Sequence, residues 1–353
     1  MPKRVGHVWE KLTSIDHCNA AVLRAIKRKR KTRYLKYVKE NHEKFGARTQ
    51  KLLLDGWEPD PVRIKTINEG TSQKTRDLKI PSLRDHLVHT AVAMILEEHL
   101  AKRFGFYVCG SLPNRGQTFA VKAVEARIRK KRPKYCALAD IKKCYKSIKK
   151  EHVMRNLRRV FKDKKFLDLN EKILDQMGGG LAIGFTVSHW YAHLVLSTID
   201  ERIKHKNKRV FIVRFMDNYV MLCGRKRDLH RTIRALMKET ARLDLDVKSD
   251  WQVFPIKSRP VQFLSYRFSH DRTVLRKGLV YKYSRLFRRA GEHLDAHTAR
   301  TVMSANGVLK HCDSYHYKVL FLYPNVSLKR CRRLISDADK KRLLHRRTGA
   351  VHC

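Results

Sequence analysis

The sequence lacks several features that mark common protein classes. No run of about 18 apolar residues occurs, so we expect no membrane-spanning helix and no membrane partner. The first residues, MPKRVGHVWEKLTSIDH, carry no apolar stretch of the kind that a secretory signal needs. The eight cysteines are scattered without a CxxC pair. This argues against a disulfide framework or a zinc site and predicts reduced thiols in a cytoplasmic protein.

Acidic residues are scarce relative to basic ones. The 353 residues include 79 Lys and Arg against 33 Asp and Glu, a formal net charge of +46. Such a surplus repels itself unless the usual partner is a polyanion, and nucleic-acid phosphates are the common one. Each basic run alone is more typical of a solvated helix face. Together the runs favour a long groove or several faces lined with Lys and Arg, and they lie at 27–33, 127–134, 225–227, 329–333 and 340–347.

Hydropathy patterns predict a mixture of helices and strands. Apolar residues make up 42% of the chain, enough for a packed interior, and the length predicts two or three lobes. Helical spacing predicts helices at 1–55, 83–104 (amphipathic), 185–203, 228–243 and beyond 275. Strand patterns occur at 62–67, 135–141, 210–224 and 261–269, with a polar turn at 68–75. The third strand pattern predicts a hairpin about Met216-Asp217-Asn218.

Two aspartates stand at the ends of apolar strands, Asp140 after YCALA and Asp217 after VFIVRFM. A buried strand seldom ends in an unpaired carboxylate, because desolvating the charge is costly. If neighbouring strands bring the two together, their repulsion raises a pKa or requires a divalent cation. Mg²⁺ suits such a site because it is a hard ion held by carboxylates and substrate phosphates. Taken singly, a helix N-cap at Asp140 and a simple turn at Asp217 remain open interpretations.

Further motifs surround these carboxylates in a set order. They are KTRDLKIPSLRDHLVHTAV (74–92), SLPNRGQTFA (111–120), ADIKKCYKSI (139–148), GGLAIGFTVSH (179–189), RFMDNYVM (214–221) and VQFLSYRF (261–268). In this order the chain resembles a reverse transcriptase over roughly residues 60–325. The resemblance assigns two segments of the fingers, then palm motifs A, B and C at Asp140, Gly184 and Asp217, and a primer-grip strand at Phe263-Leu264.

A finer resemblance is to the reverse transcriptases of diversity-generating retroelements. Most reverse transcriptases have Gln before the motif B glycine and Ser-Pro after it. Here 183–189 reads IGFTVSH, which is similar to the retroelement pattern of an aliphatic residue, Gly, three residues, Ser and Gln. The thumb segment at 304–321 also resembles that group. Two positions depart from it, because His189 stands where Gln is usual and Asn218 where motif C usually has a second Asp.

The resemblance implies an α+β fold class, a right-hand polymerase with fingers, a palm of antiparallel sheet plus helices, and a helical thumb. The expected boundaries are an N-terminal helical extension at 1–60, fingers at 61–135, a palm at 136–272 and a basic helical thumb with a C-terminal tail at 273–353. Fingers and palm are expected to interleave around 150–180. From the chain length we expect no RNase H or endonuclease domain.

The resemblance also implies residue roles in catalysis. Two Mg²⁺ ions about 4 Å apart, for which Mn²⁺ can substitute, would be held by Asp140, Asp217 and the Ile141 carbonyl. Asn218, also at the catalytic position, removes a charge near the metals but keeps an oxygen. We expect retained but weakened catalysis, whereas the rival view is a pseudoenzyme. Lys248 and Lys257 are alternative candidates for the general acid that protonates pyrophosphate.

Other residues are assigned to substrate binding. The motif context makes Lys74 and Arg76 candidates for a triphosphate clamp, because arginine forks onto phosphate oxygens and lysine acts as a point charge. By resemblance, Tyr145 is a steric gate against the 2′-hydroxyl, and Ile183 and Gly184 contact the nucleotide. Ordinary alternatives are a basic strand edge, a core aromatic and a buried isoleucine. Three further residues are predicted to bind nucleic acid: Arg115, Lys310 and Tyr315.

Together these features predict an RNA-directed DNA polymerase that uses deoxynucleoside triphosphates and copies a template RNA into cDNA, with frequent misincorporation opposite adenine. The resemblance implies a basic pentameric accessory protein as a partner, and a cytoplasmic location in a bacterial or phage-infected cell. Two alternatives stay open. One is a catalytically weakened or inactive RNA-binding protein on a polymerase scaffold. The other is a reverse transcriptase of an intron or a phage-defence system.

Overall fold

The computed structural model describes residues 4–27, 29, 32–68 and 75–348, with side chains described as far as residue 340. The helices are α1 Val8–Leu12, α2 Ile15–Ile26, α3 Arg33–Glu40, α4 His42–Leu54, α5 Leu83–Leu100, α6 Gln117–Lys131, α7 Cys144–Ser147, α8 Lys150–Val160, α9 Lys164–Met177, α10 Ser188–Lys206, α11 Lys226–Ala241, α12 Lys277–Glu292, α13 Ala296–Leu309, α14 Tyr315–Tyr317 and α15 Leu328–Thr348. A π-helical stretch, Lys318–Leu322, follows α14. The strands are β1 Arg63–Asn68, β2 Thr75–Ile80, β3 Val108–Cys109, β4 Tyr135–Asp140, β5 Phe211–Phe215, β6 Asn218–Cys223, β7 Gln252–Pro255, β8 Val261–Phe263, β9 Tyr266–Phe268 and β10 Thr273–Leu275.

The chain forms two compact units. The first comprises Met1–Gly116, Ala137–Met221 and Lys226–Val253, and the second comprises Gln117–Cys136, Leu222–Arg225 and Phe254–Cys353. These two units do not test the predicted boundaries of fingers, palm and thumb, which stay a prediction. Within the described residues, no helix combines the length and the apolar character needed to cross a membrane.

Most residues of a five-stranded sheet with the strand order β3-β5-β6-β4-β7 belong to the first unit. Strands β5 and β6 are neighbours joined by only Met216 and Asp217, so the predicted hairpin at this position is confirmed. Strand β4 lies next to β6, which places the end of β4 beside the hairpin turn. A separate antiparallel pair, β1 and β2, has the register Arg63↔Ile80 to Asn68↔Thr75.

Helix α5 is the central helix of the first unit. It begins where the Ser82 hydroxyl accepts a hydrogen bond from the Asp85 backbone N–H, 3.1 Å away. The sequence predicts an amphipathic helix here, but α5 is buried on most sides, and even Asp85 and His89 are buried. Helices α1, α2, α4 and α10 pack around it, which leaves it little solvent-facing surface. The helices expected in residues 1–55 are present as α1–α4.

The second unit contains α6, the three-stranded antiparallel sheet β8-β9-β10 and helices α12–α15. The sequence predicts one strand over 261–269, but the structure has a hairpin of β8 and β9 instead. The reason is local, because Leu264 adopts a left-handed φ of 51° and reverses the chain. Most of the polar turn predicted at 68–75 lies outside the described residues, as does the end of the C-terminal tail.

Candidate active site

The two strand-end carboxylates lie together. Strand β4 ends at Asp140, and the adjacent hairpin turns at Asp217. The backbone N–H of Ile141 donates to the Asp217 carbonyl oxygen at 3.2 Å, which fixes the two strand ends to each other. Burial, and then the negative charge of Asp140, raise the pKa of the Asp217 carboxyl. The pairing expected from the sequence is therefore present in the structure.

The turn that carries Asp217 has a constrained backbone. Met216, directly before it, has a left-handed φ of 56°. Asn218, directly after it, begins β6 and is exposed, and its amide nitrogen lies 3.4 Å from Asp217 Oδ1. Asn218 thus lies beside the carboxylate pair and donates a hydrogen bond there, whereas a second aspartate would add a negative charge.

The carboxylate pair has the character of a divalent-cation site. Asp140 Oδ1 is buried and has no hydrogen-bond partner, so it is an oxygen with an unused lone pair. The donors are all hard oxygens, and the Ile141 carbonyl, the third predicted ligand, follows Asp140 directly. Within the described chain, no cluster of three or more His, Cys, Asp or Glu side chains offers a metal site. A cation bound here would therefore be shared between these residues and substrate phosphates, as is usual for Mg²⁺.

Lys248 is in direct contact with Asp140. Its ammonium forms an ion pair with Asp140 Oδ2, and its backbone N–H donates to the Asp140 carbonyl at 2.8 Å. The hydrogen bond to Asp140 raises the pKa of Lys248, so the side chain is protonated at neutral pH. Lys257, the alternative candidate, is exposed and belongs to the second unit. The geometry therefore favours Lys248 as a proton donor at this site.

A buried arginine beneath the hairpin turn was not predicted from the sequence. Arg214 on β5 is 1% exposed. Its Nε donates to Asp200 Oδ2 at 2.7 Å, and its Nη1 donates to the Met216 carbonyl at 2.8 Å. Tyr219 donates its hydroxyl to Asp200 Oδ1 at 2.9 Å. Arg214 therefore holds the backbone of the residue before Asp217 in its left-handed conformation.

The same network reaches Gly110, the residue after strand β3, through His193. Arg214 Nη1 lies 3.1 Å from His193 Nδ1, and His193 Nε2 lies 2.7 Å from the Gly110 carbonyl. Burial, reinforced by the charge of Arg214, holds the pKa of His193 well below its usual value. A neutral ring with its proton on Nε2 satisfies both contacts, accepting from arginine and donating to the carbonyl. The only sequence signal for this network is an arginine inside an apolar strand.

Tyr145 lies close to the carboxylates on the short helix α7. It is half-buried, and its carbonyl accepts a hydrogen bond from the Leu181 N–H at 2.7 Å. Burial raises the pKa of the Tyr145 hydroxyl, and the nearby Cys144 and Asp217 raise it further. The predicted gate residue is thus neutral, near Asp217, and tied by its backbone to the segment that leads into the predicted motif B.

The loop that contains Ile183 and Gly184 packs against strand β2. The Lys79 N–H donates to the Ile183 carbonyl at 2.9 Å. Gly184 has a φ of 115°, and a Cβ added there would clash with the Lys79 carbonyl oxygen. Ser188 closes the loop by donating its hydroxyl to the Ala182 carbonyl at 2.6 Å. Position 184 therefore requires glycine for two reasons: a side chain would clash with Lys79, and the backbone conformation is one that other residues rarely adopt.

We expect Gly184→Ala to lower the free energy of unfolding by about 3 kcal/mol or more, because it combines a clash with backbone strain. Gly179→Ala is the matched control, since Gly179 has a φ of 82° and a Cβ added there would meet nothing within 4 Å. In the control, the free energy of unfolding should fall by only about 1–2 kcal/mol, the cost of holding alanine in a left-handed conformation. Urea unfolding measures both variants, and equal losses would contradict a role for the Lys79 contact.

The remaining predicted residues are more dispersed. Arg76 is exposed on β2 opposite Ile67, whereas Lys74 lies outside the described residues. Phe263 is buried at the end of β8, and the Leu264 carbonyl in the hairpin turn accepts from Arg276 Nη1 at 3.2 Å. The primer-grip prediction therefore falls on a hairpin in the second unit, not on a continuous strand.

The three predicted nucleic-acid-binding residues differ in their surroundings. Arg115 uses its guanidinium to bind the carbonyls of Phe104, Gly105 and Ala101, at 3.2, 2.9 and 2.8 Å. Through these contacts Arg115 holds the loop that follows α5, so the structure favours a structural role for this residue. Lys310 and Tyr315 are exposed in the second unit, Tyr315 to 71%.

Comparison with known proteins agrees with this architecture. Residues 65–268 match the family described as reverse transcriptase (RNA-dependent DNA polymerase). A search of curated proteins gives no significant match. Telomerase from Candida albicans, solved with a fragment of telomeric RNA, superposes with a TM-score of 0.51 at 12% identity, covering 78% of this chain and 57% of that one. Apo telomerase from Candida tropicalis gives 0.50 at 12% identity, covering 70% and 52%.

The chain thus spans little more than half the length of these structures, and at this identity the likeness bears on the fold alone. It agrees with the α+β right-hand polymerase fold expected from the sequence. The family match covers more than half of the chain and includes both strand-end carboxylates, the loop on β2 and the β8–β9 hairpin. The chain belongs to the reverse transcriptase family.

Proposed function

We propose that the protein is an RNA-directed DNA polymerase that extends a primer by divalent-metal-dependent nucleotidyl transfer. The observation that supports this most is the pair Asp140 and Asp217 at adjacent strand ends, with a buried Asp140 oxygen that lacks a partner. Family membership supplies the substrate class, a nucleic-acid template with deoxynucleoside triphosphates. Two Mg²⁺ ions bound there would neutralise the triphosphate and activate the primer 3′-hydroxyl.

Residues of the chain account for the other requirements of this reaction. Arg214 holds the turn so that the Asp217 carboxylate stays beside Asp140. Lys248, protonated and adjacent, is placed to donate a proton to the departing pyrophosphate. Tyr145, neutral and close to Asp217, is placed to reject a 2′-hydroxyl by steric contact. Asn218 contributes a neutral amide beside Asp217, which predicts weaker metal binding than a second carboxylate would give.

We further propose that the polymerase serves a diversity-generating retroelement and makes error-prone cDNA from a structured template RNA. Support comes from the IGFTVSH segment, in which a half-buried aliphatic side chain, Ile183, stands where an amide would steady the base pair. This assignment brings with it a basic pentameric accessory protein as a partner. A phage-defence reverse transcriptase is the alternative that a different cDNA product would favour.

The direct test is primer extension on the co-expressed template RNA with Mg²⁺ and deoxynucleotides, followed by sequencing of the cDNA. A polymerase produces cDNA that depends on Asp217 and on the divalent cation. A non-catalytic RNA-binding protein retains the RNA, forms no product and is unaffected by Asp217→Ala. Errors concentrated opposite template adenine support the retroelement assignment, whereas evenly distributed errors contradict it.

We expect Ile183→Gln to lower misincorporation opposite template adenine by about tenfold, the effect of roughly 1.4 kcal/mol from a regained hydrogen bond. Ile183→Leu is the control that keeps an aliphatic side chain and should leave the error spectrum unchanged. Sequencing of cDNA from matched extension reactions measures both. An identical spectrum in the glutamine variant would remove Ile183 from any role in base-pair checking.

A further inference from the structure

A second polar cavity lies in the first unit and includes none of the residues assigned above to catalysis. Helix α8, helix α10 and the residues after α11 enclose about 290 Å³. This is several times the roughly 30 Å³ share of one water molecule in the liquid. Four arginines line it together with one histidine: Arg155, Arg159, Arg202, Arg242 and His152.

Two of these arginines are fixed from behind by a buried carboxylate. Glu239 is 1% exposed, and its Oε2 accepts from Arg202 Nη1 and from Arg242 Nη1, each at 2.8 Å. Its Oε1 accepts from Lys206 at 2.8 Å. Although burial opposes ionisation, these three cations hold the pKa of Glu239 at about 2. One negative charge thus orients three positive ones and leaves a net positive charge there.

The other two arginines carry unbalanced charge. Arg155 and Arg159 are four residues apart on α8, so they lie on the same helix face, and both are exposed at the cavity. Neither has a carboxylate partner among the described residues. Like charges so close together are unfavourable without a counter-charge. The cavity is therefore arranged for an anion that the chain itself does not supply.

His152 gives an independent indication of a ligand. Its side chain is 9% exposed, and its Nε2 lies 3.3 Å from Asp244 Oδ2. Its Nδ1 is buried and has no hydrogen-bond partner. A buried polar nitrogen is rarely left without one, since desolvation without a hydrogen bond costs free energy. An anion in the cavity would provide a hydrogen-bond partner for Nδ1.

We propose that this arginine cavity is a phosphate-binding site, separate from the polymerase site, that holds backbone phosphates of the RNA. Arginine guanidinium groups fork onto phosphate oxygens, and four of them around one cavity match a group with several acceptor oxygens. The net charge of +46 favours a polyanion over a small metabolite as the occupant. Free phosphate or polyphosphate offers the same chemistry and is the other source. The inference goes beyond the proposed polymerase activity.

The test is binding of a fluorescent structured RNA hairpin to the full chain across a salt series. At about 0.15 M salt, Arg155→Ala with Arg159→Ala should weaken binding by about tenfold or more, and the slope of log Kd against log salt should fall by about 0.9 per lost phosphate contact. Arg234→Ala with Lys238→Ala on α11 is the matched control, since these two residues are also four apart on one helix. It removes the same charge from two exposed basic residues of the same unit that lie outside the cavity and outside the basic runs, and should change Kd by less than about threefold.

Inorganic tripolyphosphate separates the two sources of phosphate. Tripolyphosphate should raise the melting temperature of the unmodified protein and of the control, but not that of the cavity variant. If the cavity variant also binds RNA more weakly, the site takes backbone phosphate. If the cavity variant loses the melting-temperature rise but binds RNA as tightly as before, RNA is not the occupant and free polyphosphate is. Equal Kd values for cavity and control variants, with equal melting shifts, overturn the site altogether. The charge-preserving pair Arg155→Lys and Arg159→Lys should bind RNA with intermediate affinity, because it keeps the charge but loses the fork.

These outcomes are independent of the catalytic proposal. Asp217→Ala removes a proposed metal ligand and should leave hairpin binding within about twofold, because Asp217 is not among the residues that line the cavity. Loss of primer extension in that variant with intact hairpin binding separates the two sites. Failure of extension in the unmodified protein would contradict the polymerase and leave the cavity result standing.

Discussion

Primer extension is expected to fall by about 10³-fold or more when Asp217 is replaced by alanine, and by a similar factor for Asp140→Ala. Each substitution removes one carboxylate of the pair that would hold the divalent cations, and these cations would neutralise the triphosphate. The measurement is single-nucleotide incorporation on a short primed template with saturating Mg²⁺. RNA affinity should not fall by more than about twofold, since the substitution removes a negative charge, which repels phosphates.

The matched control for this loss is Asp168→Ala. Asp168 is an exposed aspartate on α9 of the same unit, and it lies outside the carboxylate site. Its substitution should leave incorporation unchanged. A parallel loss of incorporation, RNA affinity and unfolding midpoint in Asp217→Ala would show that the residue is structural, and the metal-dependent reaction would then need another centre.

The free energy of unfolding is expected to drop by about 3–5 kcal/mol in Arg214→Met, because the substitution leaves Asp200 without its buried partner. The Met216 carbonyl and His193 Nδ1 also lose their donor. Methionine has a similar length, which limits the change to charge and hydrogen bonding. Urea unfolding gives the stability, and incorporation kinetics should show a lower rate because the turn before Asp217 is released.

Two companion variants test the origin of that loss. Tyr219→Phe removes a single hydrogen bond to Asp200 and should cost only about 1 kcal/mol. Adding Asp200→Asn to Arg214→Met should restore part of the stability, because it removes the unpaired charge. If Arg214→Met lowers the free energy of unfolding by less than about 1 kcal/mol, the buried ion pair does not stabilise the fold as argued. If the variant incorporates nucleotides at the normal rate, Arg214 does not control the turn before Asp217.

The sequence predicted those parts of the site that depend on local pattern. The hairpin at 216–218 followed from two apolar half-strands around a polar turn, and the meeting of Asp140 with Asp217 followed from strand ends that carry a charge. The lysine at the site could not be chosen from spacing, because Lys248 and Lys257 follow the same motifs. Only the backbone path after α11, where the Lys248 N–H reaches the Asp140 carbonyl, distinguishes them.

Other features depend on long-range packing and could not be read from the sequence. Arg214 interrupts an apolar strand, and nothing local indicates that Asp200 on another element neutralises it. The residues 261–269 alternate as a single strand would, whereas Leu264 accepts a left-handed conformation that its sequence does not signal. Helix α5 shows an amphipathic pattern, yet its polar residues are buried: Asp85 accepts from Trp57 Nε1 at 3.0 Å, and the His89 ring stacks on Phe185.

The joint between β2 and the loop at 183–184 is made of main-chain atoms. One hydrogen bond from the Lys79 N–H and the close approach of its carbonyl to Gly184 account for it. Side chains at 79 and 183 can therefore change without disconnecting the two segments, provided that 184 stays glycine. A displacement of β2 would therefore shift this loop with it, because the contact between the two segments is made by the main chain.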